Sequence, residues 1–396
     1  MSFFQTAKKR KAIGIIDVGS ASVGGAVVAI GGDSKPTMLY STRTELVFQE
    51  DLNFGRFLSS MLKSFEIVLE DMRKGSKETP REFFCSFASP WYASRTKTLH
   101  ARYDSPVMVT SKMLDRFVRD EVSAFEATLK DNRAMAEDQP DVIDVNTIQV
   151  RLNGYETSNP HGKKAREVDL ALYMSISSRR VLESIRNRVF KAYHSHHVVF
   201  GTYTLVAFSA IRDIFSDKKN FLFLDITGEV SDLSIIRNNV IVETVSFPFG
   251  RNSLIRRMAS GFNVGPDEAV SMIRMRQEQR HTETASKKID DIMSRAKKEW
   301  IKYFSSALTD FSSSFSIPAT IFITVDADVA ALYIEAIKSE EFGQFVLTEN
   351  AFDERVLDGK VLTKFLEVDN VDSGASLDPF LALETIFVDK VKERFT

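Results

Sequence analysis

An α/β fold built from two similar lobes is predicted by two features of the sequence. The first is a pair of apolar strand–turn–strand patterns, Ala12–Ile30 and Phe221–Ile236, whose leading aspartates lie roughly 208 residues apart. The second is the alternation of such strands with stretches of helical periodicity. Because β-branched runs with polar residues confined to the turn are typical of buried hairpins, each lobe is expected to contain one.

Helices are predicted where apolar residues recur every three to four positions behind a residue that can cap a helix. Proline also suits a first helical turn, because its missing N–H is not needed there. The helices predicted in this way begin behind Ser111, Ser178 and Asp378 or at Pro266, and a longer one covers Ile289–Phe304.

Composition limits the class of protein. The chain has 396 residues with 52 Lys and Arg against 54 Asp and Glu, a formal net charge of −2. This balance argues against nucleic acid as a partner, since proteins that neutralise phosphates normally carry a basic excess. The single cysteine, Cys85, rules out an internal disulfide and is predicted to be a buried packing thiol. No stretch approaches the ~18 apolar residues of a membrane span, so a cytoplasmic protein is expected.

Both hairpin turns carry side chains suited to phosphate and magnesium. Glycine lets the backbone approach a ligand closely, and turn amides and hydroxyls can donate to phosphate oxygens. Mg²⁺ keeps several waters and needs few carboxylates. The candidate phosphate-binding residues are Gly19, Ser20, Ser22, Thr227, Gly228 and Ser231, and the candidate ligands of a hydrated Mg²⁺ are Asp17, Asp225 and Asp232. A plain Gly-Ser hairpin is the alternative at each turn.

The two turns resemble those of the actin-like ATPase superfamily, in which ATP lies between two lobes and each lobe offers a hairpin to the phosphates. Within it the chain resembles the FtsA family of bacterial cell division over most of Ala12–Phe395. Arg81–Ala93 followed by Pro106–Phe125 is similar to the subdomain that FtsA inserts into its first lobe. Leu152–Tyr173 is similar to the segment leaving that insert, and Asp378–Ile386 to the second connecting helix.

The resemblance implies an actin-like two-lobe α/β fold, with ribonuclease-H-like duplicated lobes and a small FtsA-type inserted subdomain. The first lobe is expected over residues 1–80 and 170–215, the insert over 81–169, and the second lobe over 216–396. ATP and Mg²⁺ are the cofactors that the resemblance implies.

Departures from the family pattern weaken this nucleotide site. Val325 and Asp326 stand where the family has paired glycines near the adenosine, and Val270 and Ile273 stand where it presents a Glu and a Lys. The helix Thr204–Ile214 offers no early carboxylate, so no water-activating base is evident. We therefore expect nucleotide binding to be weak or lost, with at most a weak ATPase activity.

The resemblance implies a scaffold of bacterial cell division that self-associates into filaments and links a tubulin-like division protein to the membrane machinery. Within the superfamily the alternative is a PilM-type adaptor of type IV pilus assembly, which binds a short peptide of a membrane-anchored partner on the insert. The alternative of another class is a true ATPase or small-molecule kinase that uses the same cleft.

The N-terminus, MSFFQTAKKRK, is a candidate membrane contact. Aromatic rings can enter a membrane interface while neighbouring cations meet anionic headgroups. The residues concerned are Phe3, Phe4, Lys8, Lys9, Arg10 and Lys11. A disordered start before the first strand is the alternative. FtsA ordinarily ends in an amphipathic membrane helix, whereas this chain stops at Thr396. Peripheral attachment to the inner face of the cytoplasmic membrane is therefore expected through the N-terminus or a partner.

Overall fold

The computed structural model describes residues 10–32, 34–131, 140–277, 283–338, 340–345, 352–369 and 377–395. Its strands are β1 (Lys11–Val18), β2 (Ser22–Ile30), β3 (Thr37–Glu45), β4 (Glu82–Phe87), β5 (Tyr92–Met108), β6 (Pro140–Leu152), β7 (Tyr155–Glu156), β8 (Lys164–Ser178), β9 (His197–Thr202), β10 (Phe221–Ile226), β11 (Ser231–Arg237), β12 (Val240–Phe247), β13 (Thr320–Val325), β14 (Asp353–Val356) and β15 (Glu367–Val368). Its α-helices are α1 (Phe54–Gly75), α2 (Ser111–Asp131), α3 (Arg179–Tyr193), α4 (Tyr203–Ile214), α5 (Arg251–Phe262), α6 (Pro266–Gln277), α7 (Glu283–Ser312), α8 (Ala330–Ile337), α9 (Gly359–Leu362) and α10 (Pro379–Lys390).

Two sheets of the molecule repeat one plan. The first has the order β15-β3-β2-β1-β4-β9 and the second the order β12-β11-β10-β13-β14. In each, three strands form an antiparallel meander, and the first strand of that meander continues into parallel pairs, β1 with β4 and β10 with β13. The six residues of β10 and of β13 are all buried, as expected of apolar strands covered on both faces. The two similar lobes predicted from the paired hairpins are therefore present.

Helices cover both faces of the first sheet and separate it from the second. The buried residues of α1 and α3 join the side chains of one face in a single apolar cluster. On the other face α4 and α10 pack against each other, and their cluster also includes Phe223 of the second sheet and Phe322 beside it. The largest cluster lies beyond, between the second sheet and α5, α6, α7 and α8. The strand ends that carry the predicted turns thus lie next to the two connecting helices.

A third sheet, β5-β8-β6-β7, is covered by α2. The strands of this sheet and α2 lie between Tyr92 and Ser178. In contrast, β4 falls inside the predicted insert 81–169 but pairs with β1 in the first sheet. The chain also returns to the first sheet near its end. β15 pairs with β3, and α10 contacts β1 and β2. The predicted domain bounds therefore remain a prediction.

The predicted helices are present, but two of the predicted caps differ. Ser178 stands at the N-cap position of α3 without a side-chain capping hydrogen bond, and Ser111 lies inside α2. Thr110 rather than Ser111 accepts the amide hydrogen bond of Met113, at 3.2 Å, because Ser111 is already the first residue of α2. Asp378 caps α10 as predicted by accepting the amide N–H groups of Phe380 and of the residue after it. No helix in the described part of the chain is long and apolar enough to span a membrane.

Candidate functional site

The turns between β1 and β2 and between β10 and β11 are built alike. Each is closed by a backbone hydrogen bond, from Gly19 N to Ser22 O at 3.0 Å and from Thr227 N to Val230 O at 2.9 Å. In each, the aspartate one residue before the strand end lies in the antiparallel ladder, Asp17 opposite a glycine and Asp225 opposite Asp232. The sequence repeat thus produces two equivalent turns, one on each sheet.

The two turns contact each other directly. The hydroxyl oxygens of Ser20 and Thr227 are 2.8 Å apart, and the Glu229 N–H donates to Ser20 Oγ at 2.9 Å. Gly228 lies against the first turn so closely that a Cβ atom there would stand 2.5 Å from the Cβ of Ala21. The structure therefore brings four predicted phosphate-binding positions together, Gly19, Ser20, Thr227 and Gly228, with their hydroxyls paired across the two lobes.

The other two predicted phosphate-binding serines have partners of their own. Ser22 Oγ accepts a hydrogen bond from Arg43 Nη1 at 2.9 Å. Ser231 Oγ donates to the carbonyl oxygen of Phe249 at 2.6 Å and lies 3.3 Å from the indole nitrogen of Trp300. Ser231 therefore ties the second turn to its own lobe.

An arginine that the sequence analysis missed occupies the centre of the cleft. Arg43, on β3, donates from Nη2 to Asp17 Oδ2 at 2.8 Å and from Nε to Asp378 Oδ2 at 2.6 Å. Its guanidinium carbon lies 5.4 Å from the centroid of the Phe380 ring. Arg43 pairs in register with Gly24 of β2, and a Cβ atom at Gly24 would lie 2.6 Å from Nη2. The missing side chain of Gly24 thus gives the guanidinium room to cross β2 and reach β1.

Several carboxyl groups are buried around this arginine. Burial raises the pKa of Asp17 above its ordinary value, and the Arg43 guanidinium opposes this rise only in part. Burial raises the pKa of Asp225 well above its usual range, against the hydrogen bond that Thr324 donates to it at 2.7 Å. Burial also raises the pKa of Glu384 on α10 well above its usual range, and the nearby Asp17 carboxylate raises it further. Carboxyl groups without a cationic partner are thus held in the neutral form.

A Mg-nucleotide does not fit this arrangement. The cavity left between the two turns, Arg43 and Phe380 has a volume of about 20 Å³, which is roughly the room that one water molecule needs. The hydroxyl of Ser20 is bonded across the cleft, and the carboxylate of Asp17 is paired with a guanidinium. Nucleotide and Mg²⁺ binding by the residues named from the sequence stays a prediction.

The departures expected from the sequence have structural roles. Val325 is buried at the end of β13, and Ile273 is buried in the cluster of the second sheet. Asp326 lies 3.8 Å from Arg251, which also forms a close ion pair with Asp328 at 2.6 Å. These side chains serve packing and ion pairs within the second lobe.

The predicted membrane-contact residues fall in two groups. Phe3, Phe4, Lys8 and Lys9 lie outside the described residues. Arg10 donates to Thr37 Oγ1 at 2.8 Å. Lys11 belongs to β1, where its ammonium group pairs with Glu82 at 2.7 Å and donates to the carbonyl oxygen of Phe395. A membrane role for this segment stays a prediction.

A second concave site lies between the first sheet's helices and the third sheet. This groove, called the Trp91 groove below, has a volume of about 240 Å³ and is lined by Phe54, Pro90, Trp91, Tyr92, Ala93, Pro140, Ile176, Ser177, Ser178 and Val181. Trp91 stacks on Phe57 with ring centroids 4.8 Å apart. Its indole nitrogen donates to the carbonyl oxygen of Gly19 at 2.8 Å. The wall of the groove is therefore bonded to the first turn of the cleft.

Comparisons with known proteins show the fold. No family model matches the chain, and no curated protein sequence does. The solved PilM–PilN type IV pilus biogenesis complex is 10% identical, with 96% of this chain and 98% of that chain covered at a TM-score of 0.62. The ethanolamine utilization protein EutJ from Carboxydothermus hydrogenoformans is 10% identical over 95% and 88%, at a TM-score of 0.44. A Bacteroides thetaiotaomicron protein with an actin-like ATPase fold and unknown function is 9% identical over 97% and 99%, at 0.41. The chain has the predicted actin-like two-lobe α/β fold.

Proposed function

We propose that this chain is an adaptor without catalytic turnover, which binds a peptide segment of a membrane-anchored partner in the Trp91 groove. The observation that carries the proposal is the likeness of the chain, over nearly its whole length, to the solved PilM–PilN complex of type IV pilus biogenesis. That likeness supports the adaptor that the sequence analysis placed second, and it extends over the third sheet.

The Trp91 groove has the chemistry of a peptide site. Its walls are mainly aromatic and aliphatic, and Phe54 at its rim is 56% exposed. Exposed rings of this kind beside a concavity favour contact with apolar side chains of a partner. The groove opens where the third sheet meets α1 and α3. A bound segment therefore contacts the third sheet and these two helices of the first sheet together.

The structure of the cleft also supports an adaptor without catalytic turnover. An adaptor needs no hydrolysis, and in this cleft the two turns are hydrogen-bonded to each other while Arg43 is paired with Asp17. No general base stands at the start of α4, where Thr204 instead lies 2.6 Å from the hydroxyl of Tyr92. A protein that acts by binding a partner, and not by catalysing a reaction, can function with such a cleft.

Site-specific crosslinking tests the adaptor. Benzoylphenylalanine is placed at Ala93 in the groove or, as the control, at the exposed Thr98 on the same strand. In cells of the source organism we expect a crosslink from position 93, and none from 98, to the cytoplasmic segment of a membrane protein. A synthetic peptide of that segment is then titrated calorimetrically into the purified chain.

Binding of the peptide is expected to be lost in Ala93→Arg and retained in Thr98→Arg. Equal crosslinking from both positions, or peptide binding that Ala93→Arg leaves unchanged, contradicts the proposal. A peptide that binds only when Mg-ATP is present would instead favour a nucleotide-controlled ATPase.

A division scaffold shares this fold and stays a prediction, as do self-association and a tubulin-like partner. Filaments seen by electron microscopy on lipid would favour it over the adaptor. Monomers that bind the crosslinked peptide favour the adaptor.

A further inference from the structure

Arg43 is the centre of a network built from four chain segments. Its three donor nitrogens reach the carboxylates of Asp17 and Asp378 and the hydroxyl of Ser22, at 2.6 to 2.9 Å. The side chains of Arg43, Asp17 and Asp378 are 24%, 4% and 17% exposed, respectively. The ion pairs are therefore largely removed from water, where charge pairing has far more effect than at a surface.

The partners of Arg43 are themselves held in place. Asp378 accepts the amide N–H groups of Phe380 and Leu381 at 3.0 and 3.1 Å, which fixes its carboxylate at the start of α10. Gly24 supplies the space that the guanidinium occupies. The space above the glycine, the helix cap and the arginine therefore fit together. Such a fit indicates a preformed site and not a chance contact at the surface.

The network fills the place where the two turns meet. Asp17 is the residue that the sequence analysis assigned to a hydrated Mg²⁺, and its carboxylate is paired with the guanidinium at 2.8 Å. The remaining cavity of about 20 Å³ leaves no room for a metal with its water shell beside that guanidinium. Arg43 and a Mg²⁺ ion therefore compete for the carboxylate of Asp17. The guanidinium also occupies the space that a phosphate bound to that ion would need.

We propose that Arg43 is a built-in counter-cation that takes the place of a hydrated Mg²⁺ at Asp17 and ties β1, β2 and β3 to the start of α10 without a ligand. The hydroxyls of Ser20 and Thr227, which line the same small cavity, join the two turns directly. This inference does not depend on the Trp91 groove. The adaptor proposal can therefore fail while this one holds, and the reverse.

Thermal unfolding of four forms of the full chain, with MgCl₂ or Mg-ATP at millimolar concentration, tests the proposal. The forms are the wild type, Arg43→Met, the double variant Asp17→Asn/Arg43→Met, and the control Arg102→Met, whose side chain is 86% exposed. The wild type is expected to show a Tm shift below about 1 °C with either additive, because ligand that does not bind the native state leaves its stability unchanged.

Arg43→Met is expected to lower the Tm by about 5 °C, since it leaves a buried carboxylate unpaired. MgCl₂ should restore part of that loss, because the metal can then reach Asp17. The double variant should unfold at a higher temperature than Arg43→Met and should not respond to MgCl₂. Arg102→Met should match the wild type.

Three results overturn the proposal: a clear Tm increase of the wild type with Mg-ATP, an Arg43→Met variant as stable as the wild type, or a double variant no more stable than Arg43→Met. If Arg43→Met does not fold, Arg43→Lys replaces it. Lysine keeps the charge but cannot contact all three groups at once, so a Tm loss smaller than about 5 °C is expected. An unchanged Tm in Arg43→Lys contradicts the network.

Discussion

The first and second turns have the same backbone plan but bury their leading aspartates in different ways. Asp17 of the first turn is paired with a guanidinium supplied by β3. Asp225 of the second turn accepts a hydrogen bond from the hydroxyl of Thr324, and burial raises its pKa well above the usual range. One carboxyl group thus has its charge balanced, and the other is held in its neutral form.

The neighbours of the two aspartates explain the difference. Asp17 lies opposite Gly24, and the space above that glycine admits the Arg43 side chain. Asp225 lies opposite Asp232, a second buried carboxyl group whose pKa burial also raises. A repeated turn therefore does not imply a repeated electrostatic role, because the strand next to it decides what faces the carboxylate.

The largest contrast is expected between asparagine substitutions at the two aspartates. Asp17→Asn removes one partner of a buried ion pair and should lower the free energy of unfolding by about 3 kcal/mol. Asp225→Asn replaces a neutral carboxyl group by an isosteric amide that still accepts from Thr324, so a loss below about 1 kcal/mol is expected at pH 7. Urea unfolding followed by circular dichroism measures both. Equal losses would show that the two sites are balanced in the same way.

The sequence predicted what is local and missed what depends on strand register. Both turns and the Asp378 cap follow from residues within a few positions of one another, so they could be read directly. Arg43 is 26 residues from Asp17 and reaches it only because β3 pairs with β2 so that Arg43 faces Gly24. The signal available was a lone arginine in the otherwise uncharged run TMLYSTR, but its partner required the register.

A third buried carboxyl group tests whether burial alone keeps such groups neutral. Burial raises the pKa of Asp144 on β6 from its ordinary value near 3.8 to about 7, although Arg394 lies 3.9 Å away and Asn146 donates a hydrogen bond to it. The phenol of Tyr173 is also near. A raised pKa stabilises the fold fully below the unfolded pKa, and this contribution is lost as the pH rises through about 7.

We therefore expect the wild type to lose about 2 kcal/mol of stability relative to Asp144→Asn between pH 5 and pH 8. Urea unfolding of both proteins across this range measures the difference. Asp115→Asn, at an exposed position on α2, provides the control for replacing one aspartate by asparagine. A constant difference between wild type and Asp144→Asn would mean that the Arg394 pair keeps Asp144 charged throughout.

The glycines of the two turns should also differ. A Cβ atom at Gly228 would lie 2.5 Å from the Cβ and 2.7 Å from the amide nitrogen of Ala21, whereas one at Gly19 would meet only the Ser22 carbonyl oxygen at 3.0 Å. Gly228→Ala is expected to cost between about 1 and 2 kcal/mol, because the two turns must separate to admit the methyl group. Gly19→Ala should cost less. Similar losses in urea unfolding would contradict the close contact at Gly228.

The smallest effect concerns the hydroxyls that the sequence assigned to phosphate. Ser20→Ala removes the acceptor of the Glu229 N–H across the cleft, whereas Ser231→Ala removes a bond to Phe249 within one lobe. Each should lower stability by about 1 kcal/mol, so global unfolding cannot separate them. Hydrogen exchange of the segment 227–232 can, because local opening reports the bonds that hold that segment. Ser20→Ala should speed exchange of the Glu229 amide about fivefold, and Ser231→Ala should leave it unchanged. An equal rise in both variants would mean that the contact between the turns does not hold the lobes together.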